Sequence, residues 1–132
     1  MNTKIDCSVL TPDGVIFEGE VDIAVVPSYD GEIGFMYNHA PLVAELAIGE
    51  VRFRTGENLK YLVVDGGFVE MKDNKLIILA EKAVKKEELL KDEIELQLKE
   101  LKNIYKTKEY DERIKLDVEI KKLNTRLKVA LK

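Results

Sequence analysis

Every glycine and every proline of this chain lies within its first 67 residues. The eight glycines end at Gly67 and the three prolines at Pro41, and residues 68–132 contain neither. Glycine opens the backbone to positive φ, and proline fixes φ and removes a donor. Both therefore mark turns, and both are costly inside a helix. A chain with this split turns often at first and then runs without punctuation. The charge divides at a similar place. Residues 1–80 carry 6 Lys and Arg against 13 Asp and Glu, whereas residues 81–132 carry 15 against 12. The second part has the charge density of a solvated helical segment.

In the first part the apolar period is two. Ile5, Cys7 and Val9 alternate with Asp6 and Ser8, and Val21, Ile23 and Val25 alternate with Asp22 and Ala24. This is the pattern of half-buried strands. Thr11-Pro12-Asp13-Gly14 and residues 27–31 read as turns, and Asp73-Asn74 as a tight hairpin. Further short strands are expected near 15–17, 33–36, 42–46, 51–54, 59–64, 68–71 and 76–80. Gly66-Gly67 falls between two of these patterns and reads as a turn or bulge. About nine strands with no long helix between them indicate an antiparallel sandwich or flattened barrel, and argue against a parallel-sheet nucleotide fold.

The second part has a helical period. Leu90, Ile94, Leu98, Leu101 and Tyr105 form one apolar stripe, and Leu116, Ile120, Leu123, Leu127 and Ala130 form another. Glu87 and Glu88 are expected in the first turn, where they suit the helix dipole, and Thr107 as the cap of the second helix. The polar link 106–109 between the stripes makes an antiparallel two-helix hairpin. Such a hairpin has little core of its own, so its stability is expected to depend on docking. The domain division is therefore 1–84 and 85–132.

Composition excludes several classes of function. The longest run without a charged residue is 33–44, well short of the ~20 apolar residues of a membrane-spanning helix. The lone Cys7 excludes an intrachain disulfide and a cysteine-only metal site, and its place in a strand pattern marks it as core. A net charge of −4 argues against nonspecific nucleic-acid binding. The expectation is a reduced, soluble, intracellular protein. His39 is the single histidine. Asp30 and Glu32 are near it in sequence, so an acid–base or metal constellation is conceivable, but no further His or Cys ligand exists. A histidine that orders a loop or meets a partner is the favoured reading. Gly31-Glu32-Ile33-Gly34 lacks the Lys-Ser/Thr of a phosphate-binding loop. No cofactor and no metal are expected.

One family carries these motifs in this order. Leu10-Thr11-Pro12-Asp13-Gly14 is followed by Phe17-Glu18-Gly19, Gly31-Glu32-Ile33-Gly34 and His39-Ala40-Pro41-Leu42. After these come Leu46 and Gly49, Asp65-Gly66-Gly67-Phe68-Val69-Glu70 and Leu79-Ala80-Glu81. With the two-helix tail, the chain resembles the epsilon subunit of rotary F-type ATP synthases over nearly its whole length. The resemblance implies a flattened β-sandwich of about ten antiparallel strands followed by a C-terminal antiparallel helical hairpin. It also implies a non-catalytic central-stalk rotor subunit that binds the gamma subunit and the c-ring. By the match, Gly31, Glu32, Gly34 and His39 are the candidates for contact with ring or gamma. The hairpin of bacterial members can extend and block hydrolysis. That makes Lys115, Lys121, Lys122, Arg126 and Lys128 candidates for meeting the alpha and beta subunits. The location implied is peripheral, at the cytoplasmic face of the bacterial inner membrane. The family's Asp-x-x-Arg-Ala motif for ATP is altered: Leu90, Glu93 and Ile94 stand where Asp, Arg and Ala would be. An acid in place of the guanidinium opposes phosphate binding.

Two other readings belong to different classes. One is a free-standing sandwich-plus-hairpin adaptor for other proteins. The other is a small hydrolase or isomerase centred on His39.

Overall fold

The computed structural model describes residues 3–132, so the first two residues of the expected 1–84 domain lie outside it. Eight strands form among the described residues. They are β1 (Ile5–Thr11), β2 (Gly14–Val21), β3 (Ile23–Ser28), β4 (Gly31–Met36), β5 (Leu42–Thr55), β6 (Asn58–Lys72), β7 (Lys75–Ala80) and β8 (Ala83–Lys85). One 3-10 turn at Lys86–Glu88 leads to the helices α1 (Lys91–Tyr105) and α2 (Tyr110–Ala130).

The strand count differs from the sequence expectation for a physical reason. Segments 42–46 and 51–54 are both parts of β5, and 59–64 and 68–71 are both parts of β6. These long strands pair along their whole length, from Leu42↔Met71 to Thr55↔Asn58, in one register. Their inward faces nevertheless change parity. Leu46 is core, and further along Val51 and Phe53 are core; Leu62 and Val64 are core, and then Val69 and Met71. The ribbon therefore crosses from one layer to the other without slipping. Gly66 and Gly67 absorb the change, at φ 102° and 131°. A Cβ on Gly67 would lie 1.9 Å from the Leu79 carbonyl oxygen. The glycine pair is thus neither a turn nor a register-shifting bulge, but the bend of a continuous strand.

The layers follow from this ribbon. The Leu42 end of β5 and the Lys72 end of β6 carry β7, β1 and β2, while the opposite ends carry β3, β4 and β8. Every pairing is antiparallel except β1 with β7. Alternating inward residues of both layers make one apolar cluster that includes Ile5, Val9, Val26, Phe35, Phe53 and Ile78. Phe17 stacks on Phe53 across the layers with ring centroids 4.6 Å apart. Cys7 is buried in this cluster, and burial pushes its thiol up to about 12, which makes it inert at neutral pH. Asp73 and Asn74 take φ 51° and 62°, the left-handed pair that a two-residue hairpin needs to match strand twist.

The helices form a second, separate cluster. Ile94, Leu98 and Leu123 are buried there, with Leu101, Ile120 and Leu127 packed around them. Leu90, expected on the stripe, caps α1 instead and is exposed. Glu87 and Glu88 fall in the 3-10 turn rather than in the first turn of α1, where Asp92 and Glu93 stand. Thr107 does not cap α2; its hydroxyl donates to the Ile104 carbonyl and closes α1. Arg113 reinforces that end by donating from Nε to the Tyr105 carbonyl at 3.0 Å, with its guanidinium over the Tyr105 ring. This places a cation at a helix C-terminus, where the dipole favours it.

Because the two clusters share no residue, truncation after Glu88 is expected to leave a β protein that melts in one cooperative step. Circular dichroism on the truncated chain checks this. A broad transition or an aggregated product would show that the sandwich needs the helices.

Candidate functional site

Beyond the glycine bend, the outward positions of β5 and β6 are Ile48, Glu50 and Arg52 opposite Asp65, Val63 and Tyr61. Helix α2 lies against these two strands. Val63 and Val129 are both buried, yet neither belongs to the sandwich cluster or to the cluster between the helices. They are the apolar part of the contact between α2 and the sheet.

The rest of that contact is charged. Arg126 on α2 donates from Nη2 to Asp65 Oδ2 at 2.6 Å, with side-chain exposures of 17% and 6%. The pair has one arm only, because Asp65 Oδ1 and Arg126 Nε are buried without a hydrogen bond. Lys132 Nζ lies 2.5 Å from Glu50 Oε1 and 5.0 Å from the centroid of the Tyr61 ring. Lys86 Nζ approaches the same ring and donates to the Lys132 carbonyl. Glu50 also accepts from Arg52, at 3.3 Å, and Arg52 forks onto Glu32 of β4 at 2.5 and 3.3 Å. A line of alternating charge therefore runs from the edge strand to the end of the second helix. The Arg52 hydrogen bond holds the Glu32 carboxyl below the usual range, with weaker attraction from Lys132 and Lys128.

The site residues expected from sequence are distributed as follows. Gly31, Glu32 and Gly34 lie on β4, with Gly31 at the β3–β4 turn, facing Ser28. His39 follows the other end of β4, past Asn38 at φ 65°. The six residues of β4 separate the two ends by roughly 20 Å at ~3.3 Å per residue. Glu32 and His39 therefore do not form one constellation. The His39 ring packs on Phe35, centroids 4.9 Å apart, and its Nδ1–H donates to the Ala40 carbonyl at 2.6 Å. The loop is ordered by its histidine, and no group of three His, Cys, Asp or Glu suited to a metal occurs among the described residues. Of the five candidate cations on α2, Lys115, Lys121 and Lys128 are exposed, Lys122 pairs with Glu119 on its own helix, and Arg126 is turned into the sheet.

Sequence reasoning did not find the docked face. Arg126 and Val129, spaced 3 along α2, begin a stripe that continues to Lys132 and runs beside the one that packs on α1. A signal was present in β6: Tyr61, Leu62, Val63 and Val64 are an unbroken apolar run, which marks a strand covered on both sides.

Residues 4–86 match the model of the ATP synthase delta/epsilon chain beta-sandwich domain. An ATP synthase epsilon chain of Leptospira borgpetersenii is 41% identical over 127 residues, 96% of this chain and 95% of that one. The chain belongs to the ATP synthase epsilon chain family. The epsilon chain of Alkalihalophilus pseudofirmus is 43% identical over a shorter stretch of 81 residues, 61% of each chain. In solved structures, a chain of the Euglena gracilis mitochondrial ATP synthase superposes on this one with a TM-score of 0.86. It is 22% identical, with coverage of 100% of this chain and 84% of that one. A chain from the central stalk and c-ring of the Tetrahymena thermophila enzyme gives 0.55 at 14% identity, covering 64% of this chain and 68% of that one. As an epsilon chain, this protein is a non-catalytic subunit of the synthase. None of its helices is long and apolar enough to cross a membrane among the described residues.

Proposed function

We propose that this epsilon chain couples c-ring rotation to the catalytic head through gamma, and that its helical hairpin restrains ATP hydrolysis. Residues 1–84 serve as the part that binds gamma and the ring, and 85–132 as the regulatory part. The location is peripheral, on the cytoplasmic face of the membrane. The observation that carries this reading is the separation of two apolar clusters joined by a small, charged contact. Such a contact suits an element that docks and leaves, because undocking leaves the sandwich core intact. The unfinished surface of the sandwich fits a stalk subunit as well. Phe68 and Leu79 face each other across β6 and β7, both half-exposed, and with Leu10 and Pro12 they line an open apolar depression of about 380 Å³. Gamma is the occupant we assign to it. Glu32, Gly31, Gly34 and His39 stand as the candidates for ring or gamma contact, and Lys115, Lys121 and Lys128 as the cations available to alpha and beta when the hairpin extends.

Glu32→Lys tests the coupling role. Its carboxylate is 53% exposed, so the cost to folding is expected to be at most about 1 kcal/mol, while ion-driven ATP synthesis by reconstituted complexes falls. A melting temperature that collapses while synthesis per folded complex stays normal would assign Glu32 to structure instead.

A further inference from the structure

Glu32 and Lys132 do not touch, yet they share two intermediaries. Arg52 divides its guanidinium between Glu32 and Glu50, and Glu50 divides its carboxylate between Arg52 and Lys132. Two cations and two carboxylates in line form a competitive chain: whatever occupies one end changes what the other end can hold. A cation that takes Glu32 frees Arg52 to turn fully onto Glu50. Arg52 then displaces Lys132 there, since a forked guanidinium matches a carboxylate better than an ammonium does. Lys132 is also the residue that places the end of the hairpin over Tyr61. Neutralising Glu32 also removes an attraction on Lys132 itself, so both effects act on the same residue with the same sign.

We propose that a lysine or arginine of a neighbouring subunit, on engaging Glu32, loosens the docked end of α2 through Arg52 and Glu50. The surface that meets the partner is thereby wired to the regulatory helix. This rests on the reading of Glu32 as a partner contact, but the wire itself is a property of the isolated chain. It can therefore fail or hold independently of that reading.

Amide hydrogen exchange on the isolated full chain tests it, with Ile5, Cys7 and Val9 as sandwich reference amides. Glu32→Gln is expected to speed exchange at Leu127, Val129 and Leu131 by roughly two- to five-fold, the range of a partly exposed ion pair. Lys132→Ala is expected to do the same, and the double variant to do no more than Lys132→Ala alone, because both cut one chain. The effect shrinks in high salt. Unchanged exchange in Glu32→Gln, additive effects in the double variant, or an equal rise at the reference amides would each overturn the proposal. If the wire holds but Glu32→Lys leaves synthesis by the assembled complex normal, the partner reading fails and the intramolecular link stands.

Discussion

Arg126→Ala is expected to detach the helical hairpin from the sandwich and loosen it while the sandwich stays folded. The Arg126–Asp65 pair is the most deeply covered charge pair in the molecule's docking face, at 17% and 6% side-chain exposure. Removing one partner leaves the other charge buried and alone, which costs about 3–5 kcal/mol for a fully enclosed pair. The remaining contacts are the buried Val129, the part-buried Lys132–Glu50 link, and the ends held by Lys86 and Tyr61, none of which supplies a partner for the orphaned Asp65 carboxylate. Exchange of the buried amides of α1 and α2 should accelerate by at least about a hundredfold, which corresponds to ~2.7 kcal/mol, while the sandwich amides keep their protection. Asp65→Ala should do likewise. Asp65→Leu with Arg126→Met should restore docking, since a buried ion pair replaced by apolar groups of similar volume is often neutral or better. A double variant as loose as the single ones would mean that the pair is needed for its charge and not merely for the absence of an orphan.

In the assembled complex the same substitution and the removal of the hairpin are expected to act in opposite directions. Deleting residues 107–132 takes away α2 and raises ATP hydrolysis while assembly stays intact. If the extended state is favoured by about 1 kcal/mol, some five complexes in six are blocked, and deletion raises the rate roughly six-fold. Arg126→Ala instead weakens the docked state and should lower hydrolysis. Charge reversal at Lys115, Lys121 and Lys128 should raise it in part, and less so at high salt. Those three cations are exposed, and only Lys128, which Glu32 attracts in the docked state, bears on docking, so reversal of Lys115 and Lys121 alone is the control that tests the extended state. Arg126 does not belong in that set, because its charge is committed to Asp65. Extended as one continuous helix, the 46 residues from 87 to 132 would span roughly 60–70 Å at ~1.5 Å per residue. Unchanged hydrolysis after the deletion, in complexes of verified subunit content, would leave the coupling role alone standing.

The architecture was largely legible because it rests on short-range rules. Alternation in Ile5–Val9, the paired positive φ of Asp73 and Asn74, and the four-three spacing of Ile94, Leu98 and Leu101 each have one physical solution. What was not legible depends on long-range parity. No local pattern says that 42–46 and 51–54 belong to one strand, because the inward face changes sides between them and the alternation breaks as it would at a turn. The docking face was hidden for a related reason. Arg126 reads in sequence as one of several solvated cations, and only the outward placement of Asp65 beyond the glycine bend makes it an ion pair. Gly31 and Glu32 were legible beside a turn motif, but the partition of Arg52 between Glu32 and Glu50 joins residues from β4 and β5 that no spacing rule relates. The helix ends were read less well than the helix faces. Thr107 closes the first helix rather than opening the second, since either use satisfies an orphan backbone group.

The constant register of β5 with β6 through the glycine bend limits how the length of this chain can vary. Because successive residues face opposite sides, one residue inserted between Asn58 and Tyr61 would turn Tyr61, Val63 and Asp65 inward or force the ladder to slip. Either outcome places a carboxylate in the apolar interior or strips Arg126 of its partner. Two residues added to each arm of the ribbon near its Gly56-Glu57 tip would preserve both the faces and the pairing. Length changes tolerated in this part of the chain should therefore come in matched pairs, and an odd insertion should be found only on the tip side of Thr55 and Asn58, where the ladder ends.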